Sequence, residues 1–148
     1  MKPQTDVANI KQANFPKPKN MGARDWGTET LLALVPKMFS LKKLVIKKGS
    51  KGGVQFHHKK NECGYLVSGR LLIRHDNGDG VLQETVVNEG GVFHFPPGAV
   101  HQEEALDDCI VIEASTPFFN DRVRVESNYG LDSSEGLPST SIEEVIEG

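Results

Sequence analysis

The chain has little cysteine, few aromatic residues and no long apolar run. Its 148 residues include two cysteines, one tryptophan and two tyrosines. Cys63 and Cys109 lie far apart and form no Cys-x-x-Cys pair, which argues against a disulfide framework and a thiolate zinc site. We expect both to be buried thiols. No segment is apolar enough to span a membrane, and residues 1–20 lack the apolar stretch of a signal peptide. We therefore expect a cytoplasmic protein with no membrane partner.

A surplus of basic charge is also absent. The formal net charge is −3, whereas a nucleic-acid-binding protein needs a basic face that displaces counterions from phosphates. We therefore expect no nucleic-acid partner. The lysine-rich run at residues 42–51 predicts a solvated strand face followed by a turn.

Short β-rich runs divided by Gly, Pro and Asn are the main pattern of the chain. The better predicted strands are residues 31–35, 39–47, 64–68, 70–75, 81–87, 92–95 and 109–114. The Asp-Asn-Gly-Asp-Gly cluster at residues 76–80 predicts a tight hairpin turn, because Gly and Asn accept a positive φ. No segment before residue 140 has a helical period. Many short antiparallel strands predict an all-β sandwich or barrel.

The two ends differ from this β-rich part. We predict an extended N-terminal arm over residues 1–20, a single barrel domain over 21–131 and a polar tail over 132–148. In the tail, Ser141 followed three residues later by Glu144 predicts the N-terminus of a short helix.

Two polar segments predict a metal site. Gln55 and His57 stand two residues apart, so on a strand both side chains leave the same face. Glu62 and His101 can return from neighbouring strands to complete a cluster of two imidazoles, one carboxylate and one amide oxygen. Zinc is the first choice of cofactor for such ligands, and manganese, iron, nickel and cobalt also fit.

The spacing of these residues resembles the paired motifs of the cupin superfamily. The matching positions are Gly49, Gln55, His57, Glu62 and Gly69 in the first motif, and Gly90, Pro96, Gly98 and His101 in the second. The chain is most similar to the cupin domain of type II mannose-6-phosphate isomerases, whose motif also begins Gln-x-His and reaches its Glu after four more residues. The resemblance extends over residues 21–131 and implies a double-stranded β-helix, a small β-barrel or jelly roll.

Other segments match the same family, and two positions depart from it. Asp25-Trp26-Gly27 resembles the family's Pro-Trp-Gly, and the segment at 121–124 is similar to its Asp-Ile-Val-Arg. Leu131 stands where the family has Arg, and Cys63-Gly64 replaces a His-Trp pair. These departures leave open a protein that binds a sugar without acting on it.

Three further residues are proposed to act on a substrate. Lys60 lies two residues before Glu62, which places it on the same face of a regular strand, although a solvent-exposed lysine fits as well. Glu113 resembles a family residue suited to moving protons, or it is a buried, paired carboxylate. Arg124 matches a family Arg that would anchor an anionic or hydroxylated substrate, or it forms a salt bridge with Glu126 or Asp121. The remaining histidines, His58, His75 and His94, are assigned to packing or to the surface.

The function implied by the resemblance is a metal-dependent isomerase or epimerase that acts on a sugar, a sugar phosphate or a nucleotide sugar. A divalent ion would polarise a carbonyl next to a hydroxyl and so favour removal of a proton. Two alternatives remain open: a non-catalytic, sugar-binding or regulatory cupin, and a cupin dioxygenase or lyase. The expected partners are a small-molecule carbohydrate and a second copy of the chain, because cupin barrels commonly pair through edge strands.

Overall fold

The computed structural model describes residues 10–131. In this part of the chain there are eleven β-strands and one short 3-10 helix. The strands are β1 (Lys19–Arg24), β2 (Gly27–Val35), β3 (Phe39–Ile46), β4 (Gln55–His57), β5 (Glu62–Ser68), β6 (Leu71–Asp76), β7 (Leu82–Val87), β8 (Val92–Phe95), β9 (His101–Ala105), β10 (Cys109–Ser115) and β11 (Arg122–Arg124), and the helix is Glu126–Tyr129.

The strands form two antiparallel sheets. The six-stranded sheet has the order β1-β2-β3-β10-β5-β8, and the five-stranded sheet has the order β11-β4-β9-β6-β7. Apolar side chains from both sheets meet in one buried cluster, which includes Ile46 and Leu66 from the first sheet and Ile73 from the second. The predicted all-β fold of a cupin jelly roll is therefore confirmed.

Periodicity located most strands but missed the polar ones. The hairpin turn predicted at residues 76–80 is confirmed, since it joins β6 to β7. Strand β9 is not among the strands predicted from alternation, because its sequence, HQEEA, is almost entirely polar; only the metal-site motif placed His101 on a strand. Two polar side chains of β9 find partners within the fold: the Gln102 amide donates to the carbonyl of Gly52 at 2.9 Å, and Glu104 accepts from Arg74 at 2.9 Å.

The predicted ends are only partly visible. Residues 10–18 form no helix or strand and are exposed, and β1 begins at Lys19, inside the predicted arm. Residues 1–9 and the tail with its predicted helix from Ser141 lie outside the described residues. No helix in the described part of the chain has the length and apolar character needed to cross a membrane.

Two predictions about burial were wrong. Cys63 is exposed while Cys109 is buried, because β5 alternates strictly and Cys63 lies on its outer face. Lys42, predicted to be solvated, is only 4% exposed. It lies on the inner face of β3, where its ammonium group donates to Glu29 Oε2 at 3.1 Å.

Candidate metal centre and its cavity

Three of the predicted metal ligands converge between the two sheets. His57 on β4, Glu62 on β5 and His101 on β9 are all buried, and one potential ligand atom from each lies within 4.8 Å of the others. Glu62 Oε1 is 3.4 Å from His57 Nε2 and 3.7 Å from His101 Nε2. Residues from three strands of two different sheets therefore meet at one point.

The other nitrogen of each imidazole is held by the protein. His57 Nδ1 is 3.0 Å from Asp121 Oδ1, and His101 Nδ1 is 3.0 Å from the carbonyl oxygen of Ala99. The His101 ring also stacks on Phe95, with 3.8 Å between ring centroids. Metal-binding histidines usually have such a partner on the second nitrogen, because it fixes the tautomer and the ring orientation. Here it leaves both Nε2 atoms directed to the side of Glu62.

Gln55 supplies a fourth polar atom beside this cluster. It is directly opposite His101 in the β4–β9 pairing, and its Oε1 atom is buried with no hydrogen-bond partner in the structure. A buried carbonyl oxygen without a partner is energetically costly, and coordination of a cation would satisfy it. Two imidazoles, one carboxylate and this oxygen fit a divalent metal ion such as zinc or manganese, so these residues could hold one.

A row of alternating charges leads away from the cluster across the inner face of the six-stranded sheet. We call Glu29, Lys42, Glu113, Lys60 and Glu62 the charged row. Lys60 Nζ lies 3.2 Å from Glu62 Oε2 and 3.2 Å from Glu113 Oε1. Glu113 is the cross-strand neighbour of Lys42, which pairs with Glu29. The structure thus brings the predicted residues Lys60 and Glu113 next to the metal centre.

These contacts shift the proton affinities of the buried groups. Burial acts to lower the pKa of Lys60, but the carboxylates of Glu113 and Glu62 raise it above its usual range. Burial acts to raise the pKa of Glu62, yet Lys60 and the two imidazoles hold it well below its usual range. Burial raises the pKa of Glu113 and lowers the pKa of His101. A low pKa keeps His101 neutral, which is the form that binds a metal.

Arg124 does not join these residues. Its Nε donates to Glu126 Oε1 at 2.7 Å, in line with the salt bridge considered as the alternative, and its guanidinium packs over Gly53. Arg122, two residues earlier and opposite His57 in the β11–β4 pairing, lines the cavity instead. Sequence reasoning selected Arg124 by its match to a motif. Arg124 lies opposite Gln55 in the same pairing, but its side chain bonds to Glu126, whereas that of Arg122 lines the cavity.

Sequence reasoning also missed Glu103, Asp121 and Trp26 as parts of the site. Glu103 follows His101 by two residues on β9 and lines the same cavity, where burial and the nearby Glu62 and Glu113 raise its pKa to about 8. The two-residue spacing from His101 was a usable signal, but the strands predicted from alternation did not include residues 101–105. Asp121 and Trp26 contact the site through loops, for which the sequence carries no periodic signal.

The cavity that contains these groups is small, about 110 Å³. Its lining combines four apolar side chains, Trp26, Leu44, Ile46 and Phe119, with ten polar or charged ones. Its lining comprises Trp26, Glu29, Lys42, Leu44, Ile46, Gln55, His57, Lys60, Glu62, His101, Glu103, Glu113, Phe119 and Arg122. The three other histidines make contacts outside this lining: His58 packs edge-on against Phe56, His75 bonds to Asn77 and Thr85, and His94 bonds to Asn61.

Fold and site together define the class of protein, a small antiparallel β-barrel with a histidine–glutamate centre inside. Residues 43–117 match the family model of the cupin domain, and the chain belongs to the cupin family. A stretch of 61 residues is 34% identical to an oxalate decarboxylase of Arthroderma benhamiae. That stretch is 40% of this chain and 14% of the relative, so the chain spans a small part of that protein.

Solved structures share the fold. The oxalate decarboxylase of Bacillus subtilis superposes with a TM-score of 0.66 at 18% identity, over 87% of this chain and 39% of that one. The capsular polysaccharide assembling protein CapF of Staphylococcus aureus gives 0.64 at 24% identity, over 74% and 34%. KdgF of Halomonas sp. gives 0.58 at 19% identity, over 70% and 91%. At these identities the likeness shows the fold alone.

Proposed function

We propose that the protein is a metal-dependent isomerase or epimerase whose substrate is a sugar or a sugar phosphate. The observation that carries this proposal is the Lys60–Glu113 pair beside the metal centre. The pair places a carboxylate and an ammonium group 3.2 Å apart in the cavity that also contains His57, Glu62 and His101. The Gln55-x-His57 motif, which resembles that of type II mannose-6-phosphate isomerases, supports the choice of reaction.

The metal would be held by His57, Glu62, His101 and Gln55. When bound, it supplies a Lewis acid that polarises the substrate carbonyl. Zinc is the ion we favour from the ligand types, and manganese is the second, since the Bacillus subtilis oxalate decarboxylase has Mn(II) centres.

The chain's own residues supply proton transfer. Glu113 would take the proton from C2 of the aldose and deliver a proton to C1, the former carbonyl carbon. The hydroxyl proton on O2 would pass to O1 through the Lys60 ammonium group, so an aldose and a ketose interconvert without any other reagent. Its neighbour Lys60 would donate hydrogen bonds to a substrate oxygen and hold the Glu113 carboxylate in place. Arg122 would take the role of substrate anchor that the motif had suggested for Arg124, because Arg122 is the one that lines the cavity.

The test begins with the metal. Protein purified without chelator or nickel resin is analysed for metals beside a Gln55→Ala/His101→Ala variant, and we expect about one zinc or manganese ion per wild-type chain and none in the variant. The wild type is then incubated with D-mannose 6-phosphate or D-mannose in D₂O. Deuterium at the exchanging carbon of the ketose product, followed by NMR, is the expected result.

Glu113→Gln is the matched variant for the proton-transfer step. It should retain the metal and lose about 100-fold or more of the turnover rate, in the range of a lost general base. Metal binding with no isotope exchange from any aldose or ketose tested would contradict the isomerase. Saturable sugar binding without turnover would identify a sugar-binding module.

A second candidate function is decarboxylation of a small carboxylic acid. It is favoured by the 34% identity with an oxalate decarboxylase over 61 residues, a stretch too short to carry the activity of the whole relative. Release of carbon dioxide from oxalate by the metal-loaded protein, with no isotope exchange into sugars, would select this function.

A further inference from the structure

The indole nitrogen of Trp26 has no hydrogen-bond partner among residues 10–131. Trp26 is 6% exposed, its Nε1 atom is buried without a hydrogen bond in the structure, and the residue lines the cavity of the metal centre. A buried N–H that bonds to nothing loses its hydration without compensation. Such a donor in a native protein calls for a ligand or an ordered water that accepts from it.

The fold holds Trp26 firmly at this place. The carbonyl oxygen of Trp26 accepts from the Lys47 amide at 2.7 Å, and its ring packs in the main apolar core with Ile46. The next residue, Gly27, has a φ of +146° and so little space that a Cβ would lie 1.7 Å from the Val45 carbonyl oxygen. The backbone at this turn is therefore tightly constrained, and packing in the core holds the indole ring in place.

Two charged side chains line the same cavity as the indole. Glu29 and Lys42 are 5% and 4% exposed and form an ion pair of 3.1 Å, at the end of the charged row away from Glu62. Lys42 Nζ also lies 4.5 Å from the centroid of the Phe119 ring. The cavity thus offers two kinds of donor, an indole N–H and an ammonium group, together with a carboxylate acceptor.

We propose that Trp26, Glu29 and Lys42 form a hydroxyl-binding subsite for the end of the substrate away from the metal. A hydroxyl group both donates and accepts, so it can bond to Glu29 while accepting from Trp26 Nε1. Both oxygens of Glu29 face cations, Oε2 towards Lys42 Nζ at 3.1 Å and Oε1 towards Arg24 Nη2 at 3.6 Å, so the subsite combines donors with a carboxylate acceptor. This inference rests on the proposed function, which places a substrate in this cavity.

The size of the cavity narrows the substrate class further. Pockets for drug-sized ligands have volumes of about 300 to 1,000 Å³, whereas this cavity has about 110 Å³. A nucleotide does not fit within that space. The substrate class is therefore a small polyhydroxylated carbonyl compound, and any nucleotide group would stay outside the cavity.

The experiment uses the full chain and three variants. Trp26 is the single tryptophan, so its fluorescence reports directly on ligands that enter the cavity. Wild-type protein is titrated with D-fructose and with oxalate, an acid that has no hydroxyl group, by fluorescence and by calorimetry. Trp26→Phe keeps a ring and removes the N–H, Glu29→Gln removes the charged acceptor, and Tyr65→Phe, at an exposed tyrosine, is the control.

The expected result is saturable D-fructose binding to the wild type. Trp26→Phe and Glu29→Gln should each weaken it about tenfold, the loss expected for one buried hydrogen bond. Metal content should stay unchanged, and Glu29→Gln should not weaken oxalate binding, because oxalate has no hydroxyl to donate to Glu29. Circular dichroism establishes whether each variant is folded. If Trp26→Phe does not fold, Glu29→Gln still tests the subsite.

Unchanged D-fructose affinity in both variants, or no saturable binding to the wild type, would overturn the subsite. Sugar turnover with an unchanged KM in Trp26→Phe would overturn the subsite and leave the isomerase standing. Weakened binding in the variants without turnover by the wild type would support the subsite and refute the isomerase.

Discussion

At the scale of single residues, each histidine of the candidate metal centre contacts a protein oxygen through Nδ1 and directs Nε2 towards Glu62. The partner of His57 is Asp121. The same carboxylate is itself held in place, because it accepts from the Lys59 and Lys60 amides at 2.6 and 2.8 Å. Partial burial acts to raise the pKa of Asp121, but these hydrogen bonds lower it. The carboxylate is therefore ionised at neutral pH and able to orient the imidazole.

Replacement of Asp121 by Asn tests this orienting role. We expect Asp121→Asn to weaken binding of manganese or zinc by about 10- to 100-fold, the usual effect of losing such a partner. Competition with a chromophoric chelator measures the affinity. Asp107→Asn is the control, because Asp107 pairs with the exposed Arg70 at 2.8 Å. Equal metal affinity in the wild type and Asp121→Asn would show that Asp121 does not orient His57.

At the scale of secondary-structure elements, the β1–β2 turn depends on one glycine. Gly27 combines a positive φ with a steric conflict between any Cβ and the Val45 carbonyl oxygen. We expect Gly27→Ala to lower the free energy of unfolding by about 3 kcal/mol or more, since strain and overpacking add. Gly78→Ala separates the two effects, because Gly78 has a φ of +106° but a Cβ added there would meet no heavy atom within 4 Å. Gly78→Ala should lower the free energy of unfolding by about 1 to 2 kcal/mol. Urea titrations measure both variants, and equal losses of stability in Gly27→Ala and Gly78→Ala would refute the steric argument.

The 3-10 helix is attached to the β6–β7 hairpin by a hydrogen bond from Tyr129 to Asp76 of 2.6 Å. This bond lowers the pKa of Asp76 below its ordinary 3.8. The stability that the Asp76 carboxylate contributes is therefore present above pH 3.8 and is lost as the pH falls below it. Burial and Asp76 raise the pKa of Tyr129 from 10.0 to about 12, so its contribution is present below pH 10 and is lost as the pH rises towards 12.

Tyr129→Phe should therefore have a lower unfolding midpoint than the wild type at pH 7, and the difference should shrink at pH 3 and at pH 11. Thermal melts at the three pH values measure it. Tyr65→Phe, at the other tyrosine, should match the wild type throughout. A constant difference between Tyr129→Phe and the wild type at all three pH values would show that the hydrogen bond to Asp76 is not its source.

At the scale of the whole molecule, the candidate metal ligands come from both sheets, so a bound ion would join them. Ligand binding to the native state alone stabilises it by about 2.7 kcal/mol at 100 times Kd. For a chain of this size that corresponds to a rise in Tm of about 5 to 10 °C. We expect this shift with manganese in the wild type and in His58→Ala, reversal by EDTA, and no shift in His101→Ala. An equal shift in His101→Ala would place the metal elsewhere.

The sequence by itself determined the β-rich architecture, the hairpin turn at residues 76–80 and the choice of candidate metal ligands, because these depend on local alternation, glycine conformation and motif spacing. Side chains two residues apart on a strand share a face whatever surrounds them. Only the tertiary structure decided which charged residues enter the cavity. The presence of Arg122 rather than Arg124 in the cavity, the position of Glu103 there and the burial of Lys42 beside Glu29 follow from how the two sheets pack and from the side-chain partners that this packing supplies. A polar side chain becomes stable inside a protein only when its partner is also there, and that pairing is a property of the assembled sheets.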